Sequence, residues 1–138
     1  PLFQVGVALY WAEGAKRSNF FAFTNSDYEM TQVMIFWIEK FFGIKRFDIS
    51  ATLYLHKPYA HENCEGFWAE KIGIPIKNFK KSVYKSTKLP VKKRFGYKGC
   101  LRVTLRNSTA LLRKIIFWQN MLVDYYRRKE RRISLGRE

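Results

Sequence analysis

The chain has no apolar run near the roughly 20 residues that a membrane-spanning helix requires, and no leader of the secretory type. Cysteine is scarce: Cys64 and Cys100 stand far apart with no pattern around them. They read as reduced thiols of an intracellular protein rather than a disulfide framework. No Ser-His-Asp order, nucleophile elbow or phosphate-binding glycine loop occurs, which argues against the common hydrolase and nucleotide-binding designs. Splicing residues of the intein kind are missing too. His56, His61, Cys64 and Cys100 offer four zinc-ligand types, yet their spacing matches no common zinc module. The chain opens at Pro1 rather than at a methionine, as expected where upstream residues have been removed.

Acid is also scarce, and unevenly so. Residues 1–74 hold 7 Lys/Arg against 8 Asp/Glu, whereas residues 75–138 hold 19 against 3, within a total net charge of +15. So basic a half is the footprint of a nucleic-acid binder, although an anionic membrane surface or a ribosomal setting would leave a similar one. With 138 residues, 47% hydrophobic and 17% aromatic, the chain can bury a core in one domain and is not disordered. That domain is expected over 1–124, with a loose basic C-terminal tail at 125–138.

Leu2 to Glu13 is apolar, rich in small residues and stopped by Gly14, so it predicts a short helix buried on more than one face. A strand is expected over Asn19–Asn25. Ser26-x-x-Glu29 reads as a capping box opening a helix that Gly43 closes. Arg46–Lys57 alternates: Phe47, Ile49, Ala51, Leu53 and Leu55 face a core, while Arg46, Asp48, Ser50, Thr52, Tyr54 and His56 do not. A helix from about His61 to Ile72 follows, ended by Gly73 and Pro75. Phe79–Ser86 could pair as a strand, and Leu89–Gly96 reads as an exposed loop. Cys100–Asn107 alternates again, with Arg102, Thr104 and Arg106 on the polar side. Asn107-Ser108 then caps a last helix from Thr109 to about Arg128, its buried set being Leu111, Leu112, Ile115, Ile116, Trp118, Met121 and Leu122. The fold class is α+β: an antiparallel sheet with helices on one face and a polar surface on the other. Such a surface either meets water or lies in a DNA major groove.

Glu13 is the only acid in the first 26 residues. It closes an apolar helix, where the helix dipole disfavours a carboxylate by about 0.3–1 kcal/mol. A divalent cation bridging it and a helix-terminal carbonyl would reverse that penalty, since Mg²⁺ takes carboxylate, carbonyl and water oxygens. The bland reading is an incidental acid before a capping glycine. Gly6, Ala8 and Ala12 would also let two copies of the helix approach across a two-fold axis, bringing two Glu13 side chains together.

Gly6-Val-Ala-Leu-Tyr-Trp-Ala-Glu-Gly14 resembles the LAGLIDADG motif of homing endonucleases, in its variant ending Tyr-x-Ala-Glu-Gly. Phe23-Thr-Asn-Ser-Asp27, Phe67-Trp-x-x-x-x-Gly-Ile-Pro75 and Leu101–Leu112 are similar to further segments of that family, so the resemblance spans about residues 5 to 122. One motif per chain implies a homodimer acting on double-stranded DNA at a near-palindromic site. The resemblance implies the LAGLIDADG fold, Mg²⁺ as cofactor, and metal ligation by Glu13 and the Ala12 carbonyl. Gly6, Ala8, Leu9 and Ala12 would form the dimer interface. Lys16, Arg17, Asn19, Arg46, Ser50, Thr52, Tyr54, Lys80, Lys81, Lys85, Lys93, Arg94, Arg102, Thr104 and Arg106 would contact DNA. The family's basic catalytic residue has Lys16, Lys57, Lys85 and Lys98 as candidates, of which Lys98 and Lys57 are carried forward with Glu13. Ala22 stands where the family often keeps a polar, water-positioning side chain.

A DNA-associated intracellular protein with neither a membrane partner nor a small-molecule substrate is the expectation. A non-cleaving DNA- or RNA-binding protein of the same fold is the alternative, and a basic protein of a ribonucleoprotein particle is a third.

Overall fold

The computed structural model describes residues 1–86 and 95–136. Four helices lie at Leu2–Glu13 (α1), Tyr28–Phe42 (α2), Cys64–Ile72 (α3) and Thr109–Ser134 (α4). Four strands lie at Ala22–Asn25 (β1), Ile49–His56 (β2), Val83–Lys85 (β3) and Cys100–Leu105 (β4). The sheet is open, ordered β1-β4-β2-β3. The fold is α+β, but the sheet is mixed rather than antiparallel: β4 runs antiparallel to β1 and β2, and β3 pairs parallel to β2. The cause is connectivity. The chain leaves β2, passes through α3 and returns in the same direction, and such a crossover makes parallel neighbours.

The core lies between the inner sheet face and the helices. Phe23, Val103 and Ala51 form one buried row across three strands, and Leu101 and Leu53 another. Trp37 of α2 and Trp68 of α3 are the largest side chains closing over them. Their indole N–H groups donate to the Phe3 carbonyl (3.1 Å) and the Lys98 carbonyl (2.8 Å), so neither is left unsatisfied on burial. No described helix is long and apolar enough to cross a membrane.

Several local expectations shift. The cap of α2 is Asp27 rather than Ser26: its carboxylate accepts from Glu29 N (2.8 Å) and Met30 N (3.3 Å), and a negative charge suits a helix N-terminus better than a hydroxyl. Arg46–Asp48 is a single 3-10 turn, so Phe47 falls outside the strand and is 61% exposed. Lys57–Tyr59 forms another 3-10 turn, and α3 begins only at Cys64, where Asn63 caps it by accepting from Gly66 N. Of the set expected to be buried on α4, Leu112 and Ile115 are buried, Leu111, Trp118 and Leu122 are half-buried, and Ile116 and Met121 are exposed. The helix continues to Ser134, so residues 125–134 are helical where a loose tail is expected. Ser108 occupies the cap position, but its hydroxyl accepts from Phe21 N (2.8 Å) and donates to the Leu105 carbonyl (2.7 Å). It thereby pins the starts of β1 and α4 to the end of β4.

Candidate nucleic-acid interface

Strand alternation puts one side chain in two on the outer face, and the register aligns them in rows. Thr24, Arg102 and Thr52 make one row; Ala22, Thr104 and Ser50 make a second. Cys100, Tyr54 and Val83 make a third, and His56 pairs with Lys85 beyond it. The polar members on β2 and β4 are each half-buried by their neighbours, leaving a surface of hydroxyls, one guanidinium, one imidazole and one ammonium. Backbone pairing fixes it, so the surface exists without a ligand. Thr24 is the member that sequence reasoning passed over. Its signal was available in the Phe23-Thr24 alternation of a strand too short to stand out.

Glu13 joins this face by way of Gly14. The backbone of Gly14 bridges Phe23 antiparallel, and Ala15 N donates to the Ala22 carbonyl (2.9 Å), so the end of α1 runs along the free edge of β1. Glu13, the exposed last residue of α1, therefore stands one residue before that bridge, beside the edge of β1. Gly14 is extended, at φ −72, so it is not a left-handed cap. Space is what demands glycine: a Cβ there would lie 2.4 Å from the Tyr10 carbonyl oxygen. The thiol of Cys100 is pushed up by burial, pulled down by the Lys85 charge and raised again by Glu13. Both charges are thus felt near the middle of the polar face. Tyr10 carries a phenol raised by burial and lowered by its bond from Ala22 N and by the Arg102 charge. The guanidinium therefore acts at the α1 end of the face.

The Ala12 carbonyl lies past the last intrahelical acceptor, which is Tyr10 O. Lys16 donates to the Trp11 carbonyl at that same helix end, where a cation offsets the dipole. Among the described residues no three His, Cys, Asp or Glu side chains come together as a metal site. At the end of α1 this leaves the Glu13 carboxylate and the adjacent Ala12 carbonyl, with fewer than three such side chains grouped among the described residues.

Other expected residues lie elsewhere. Lys98 pairs with Glu62 (4.0 Å) and sits over the Phe67 ring (5.6 Å), which turns it toward α3. Arg46 donates to Glu39 Oε1 (2.8 Å) and to the Ile72 carbonyl (3.0 Å), clamping α2 to the end of α3 instead of reaching the outer face. Lys57 is exposed in the turn after β2, next to His56. Arg17 and Asn19 are exposed in the α1–β1 connection, beyond Lys16. Lys80 and Lys81 are exposed ahead of β3, and Arg106 follows β4. Lys93 and Arg94 lie outside the described residues, as does most of the expected loop Leu89–Gly96.

On α1, Gly6 is buried against Trp37, whereas Ala8 and Ala12 are exposed and Leu9 is half-buried. Val5 (50% exposed) and Trp11 (43%) extend that apolar outer side. Between α1 and the far half of α4 runs a groove of about 950 Å³ lined by Phe3, Val7, Trp11, Trp118, Met121 and Tyr125. Gly6 thus serves packing within the chain, and the surface open to a second copy is Val5, Ala8, Leu9, Trp11 and Ala12. The two cysteines are free thiols.

No family model, no curated protein and no solved structure matches this chain.

Proposed function

We propose that the chain is a sequence-specific double-stranded DNA endonuclease of the LAGLIDADG homing-endonuclease type, acting as a homodimer with Mg²⁺. One observation carries the reading: an exposed acid, Glu13, stands at the rim of an open sheet face whose charged members are otherwise cationic. A small sheet can lie in the major groove and present hydroxyls and cations to base edges and phosphates. In this reading Thr24, Ser50, Thr52 and Thr104 meet the bases, while Arg102 and Lys85 meet phosphate and offset its charge. Lys85, which pairs with His56 on the same face, joins the exposed Lys57 as a candidate basic partner, while Lys98 is turned toward α3.

The Glu13 carboxylate and the Ala12 carbonyl would hold the cation, a hard-oxygen donor set that leaves room for waters. Bound there, Mg²⁺ supplies charge stabilisation at the phosphate and an activated water. Because these two groups make only a partial set, the outer side of α1 would bring a second copy's set beside it. The single nonamer and the exposed Ala8 and Ala12 support that arrangement.

The test is cleavage of a plasmid library carrying random inserts, in Mg²⁺, by wild type and Glu13→Gln. Cleavage at a defined site by wild type alone is the expected result; identical behaviour of the two removes the enzyme reading.

A second reading, a DNA-binding protein of the same fold that does not cut, is favoured by Ala22, a buried methyl on the row of Thr104 and Ser50. It predicts binding that ignores both Mg²⁺ and Glu13→Gln.

A further inference from the structure

Beyond the polar face, at the end where β2 begins and β4 finishes, the surface falls into an open cleft of about 650 Å³. Lys77, Lys80 and Arg106 line it with Ser50, Asn107 and a single acid, Asp48. All three cations are exposed, and none makes an ion pair with a described residue. Three cations around one concavity repel each other, and one carboxylate does not balance them. The floor is rigid: Asn78 Nδ2 donates to the Phe47 carbonyl (2.7 Å) and the Ile49 carbonyl (2.9 Å), and Lys80 N to the Ala51 carbonyl (2.8 Å). The cleft also continues the reading surface, because Ser50 belongs both to its wall and to the row of Thr104.

We infer that this cleft is a phosphate subsite that grips the nucleic-acid backbone at the outer end of the sheet, with Lys77, Lys80 and Arg106 as its ligands. The inference rests on the DNA-binding reading and adds a second anchor to it. The eight residues of β2 span about 26 Å at about 3.3 Å each. That length covers about seven or eight phosphates of one strand at about 3.4 Å of axial rise. Lys85 stands at the other end of the same face, opposite His56. A backbone lying along the strands would therefore be held at both ends while the hydroxyl rows between them meet bases. Lys77 had no place in the expected contact set; only the fold brings it beside Arg106.

The experiment is the salt dependence of binding to duplex DNA, which needs no knowledge of the target sequence. The triple variant Lys77→Gln, Lys80→Gln, Arg106→Gln is compared with a charge-matched control, Lys40→Gln, Lys71→Gln, Arg113→Gln, whose changes lie on α2, α3 and α4. The cleft variant should lose about 0.9 from the log–log salt slope for each phosphate no longer contacted, and the control almost nothing. Equal slopes in wild type and cleft variant, with Arg102→Gln still lowering the slope, would overturn the cleft and leave the DNA reading standing. No DNA binding by wild type would overturn both. Inorganic phosphate titrated at constant ionic strength is the second probe. Saturable phosphate binding that the cleft variant loses, with its DNA slope unchanged, would overturn the backbone assignment in favour of a free phosphorylated ligand.

Discussion

Gly6 of α1 lies directly against the indole of Trp37 on α2: a Cβ at this position would sit 2.3 Å from three atoms of the ring. The contact lets the two helices close over Trp37 while its N–H donates to the Phe3 carbonyl. It also turns the opposite side of α1, with Ala8 and Ala12, outward.

Gly6→Ala should therefore destabilise the fold by about 1–3 kcal/mol or more, the range for overpacking a filled core. Ala8→Gly on the outer side should cost only about 0.5–1 kcal/mol through helix propensity. Urea midpoints of the two variants give the comparison, and a Gly6→Ala protein as stable as wild type would contradict the packing described.

Glu13→Gln should abolish cleavage while leaving the thermal midpoint unchanged or slightly raised, because a neutral group removes the clash with the helix dipole. Chelation of Mg²⁺ should have the same effect on wild-type activity. A variant that loses activity and melts early would point to a structural acid instead.

Arg102→Gln removes the guanidinium at the centre of the row between Thr24 and Thr52. Binding to duplex DNA should weaken, and the salt slope should fall by about 0.9 if one phosphate contact is lost. Thr52→Ala should leave the slope alone and change which sequences are preferred, as expected of a side chain meeting bases. A selection experiment on random duplexes reads that preference directly.

Arg46→Gln is expected to act on stability alone. It breaks the bonds to Glu39 and to the Ile72 carbonyl on partly exposed side chains, worth about 1 kcal/mol together. Loss of DNA affinity at constant fold would show that the residue reaches the polar face after all.

Stability should decline on the alkaline side. Burial raises the thiols of Cys64 and Cys100 above their ordinary 9.0 and the phenols of Tyr10 and Tyr97 above 10.0. A group that holds its proton more tightly when folded contributes stability that is complete below its unfolded value and is lost as pH climbs through the folded one. Urea midpoints should thus hold steady up to about pH 8 and drop progressively above the unfolded thiol value. Cys64→Ala should blunt the earlier part of that decline, although the cavity it leaves lowers stability at every pH.

Periodicity made much of the fold legible. Ile49–His56 and Cys100–Leu105 alternate so regularly that their buried and outer sets could be written down residue by residue, and the structure keeps nearly all of them. Strand β3 was far less legible. It has three exposed residues and owes its existence and direction to pairing with β2 after the α3 crossover. Charge partners were not legible either. The sequence offers Lys98 as a basic catalytic residue and Arg46 as a DNA contact, and it does not show that Glu62 and Glu39 stand beside them in space. A long cationic side chain pairs with whatever acid the fold brings near, and chain spacing does not encode that acid.

By itself, the sequence determined that there is one polar strand face, that the cations crowd the second half, and that Glu13 ends an apolar helix. Each of these follows from local order: the two-residue period of a strand, the 3.6-residue period of a helix, and a count of charge. Tertiary structure alone decided that the Glu13 end of α1 runs along the edge of β1, that Gly6 faces inward, and that Lys77 and Arg106 share a cleft. Those relations depend on how β1, β4 and β2 register and on which helix covers which strand. Such choices are made by packing between segments far apart in the chain, where no local pattern reaches.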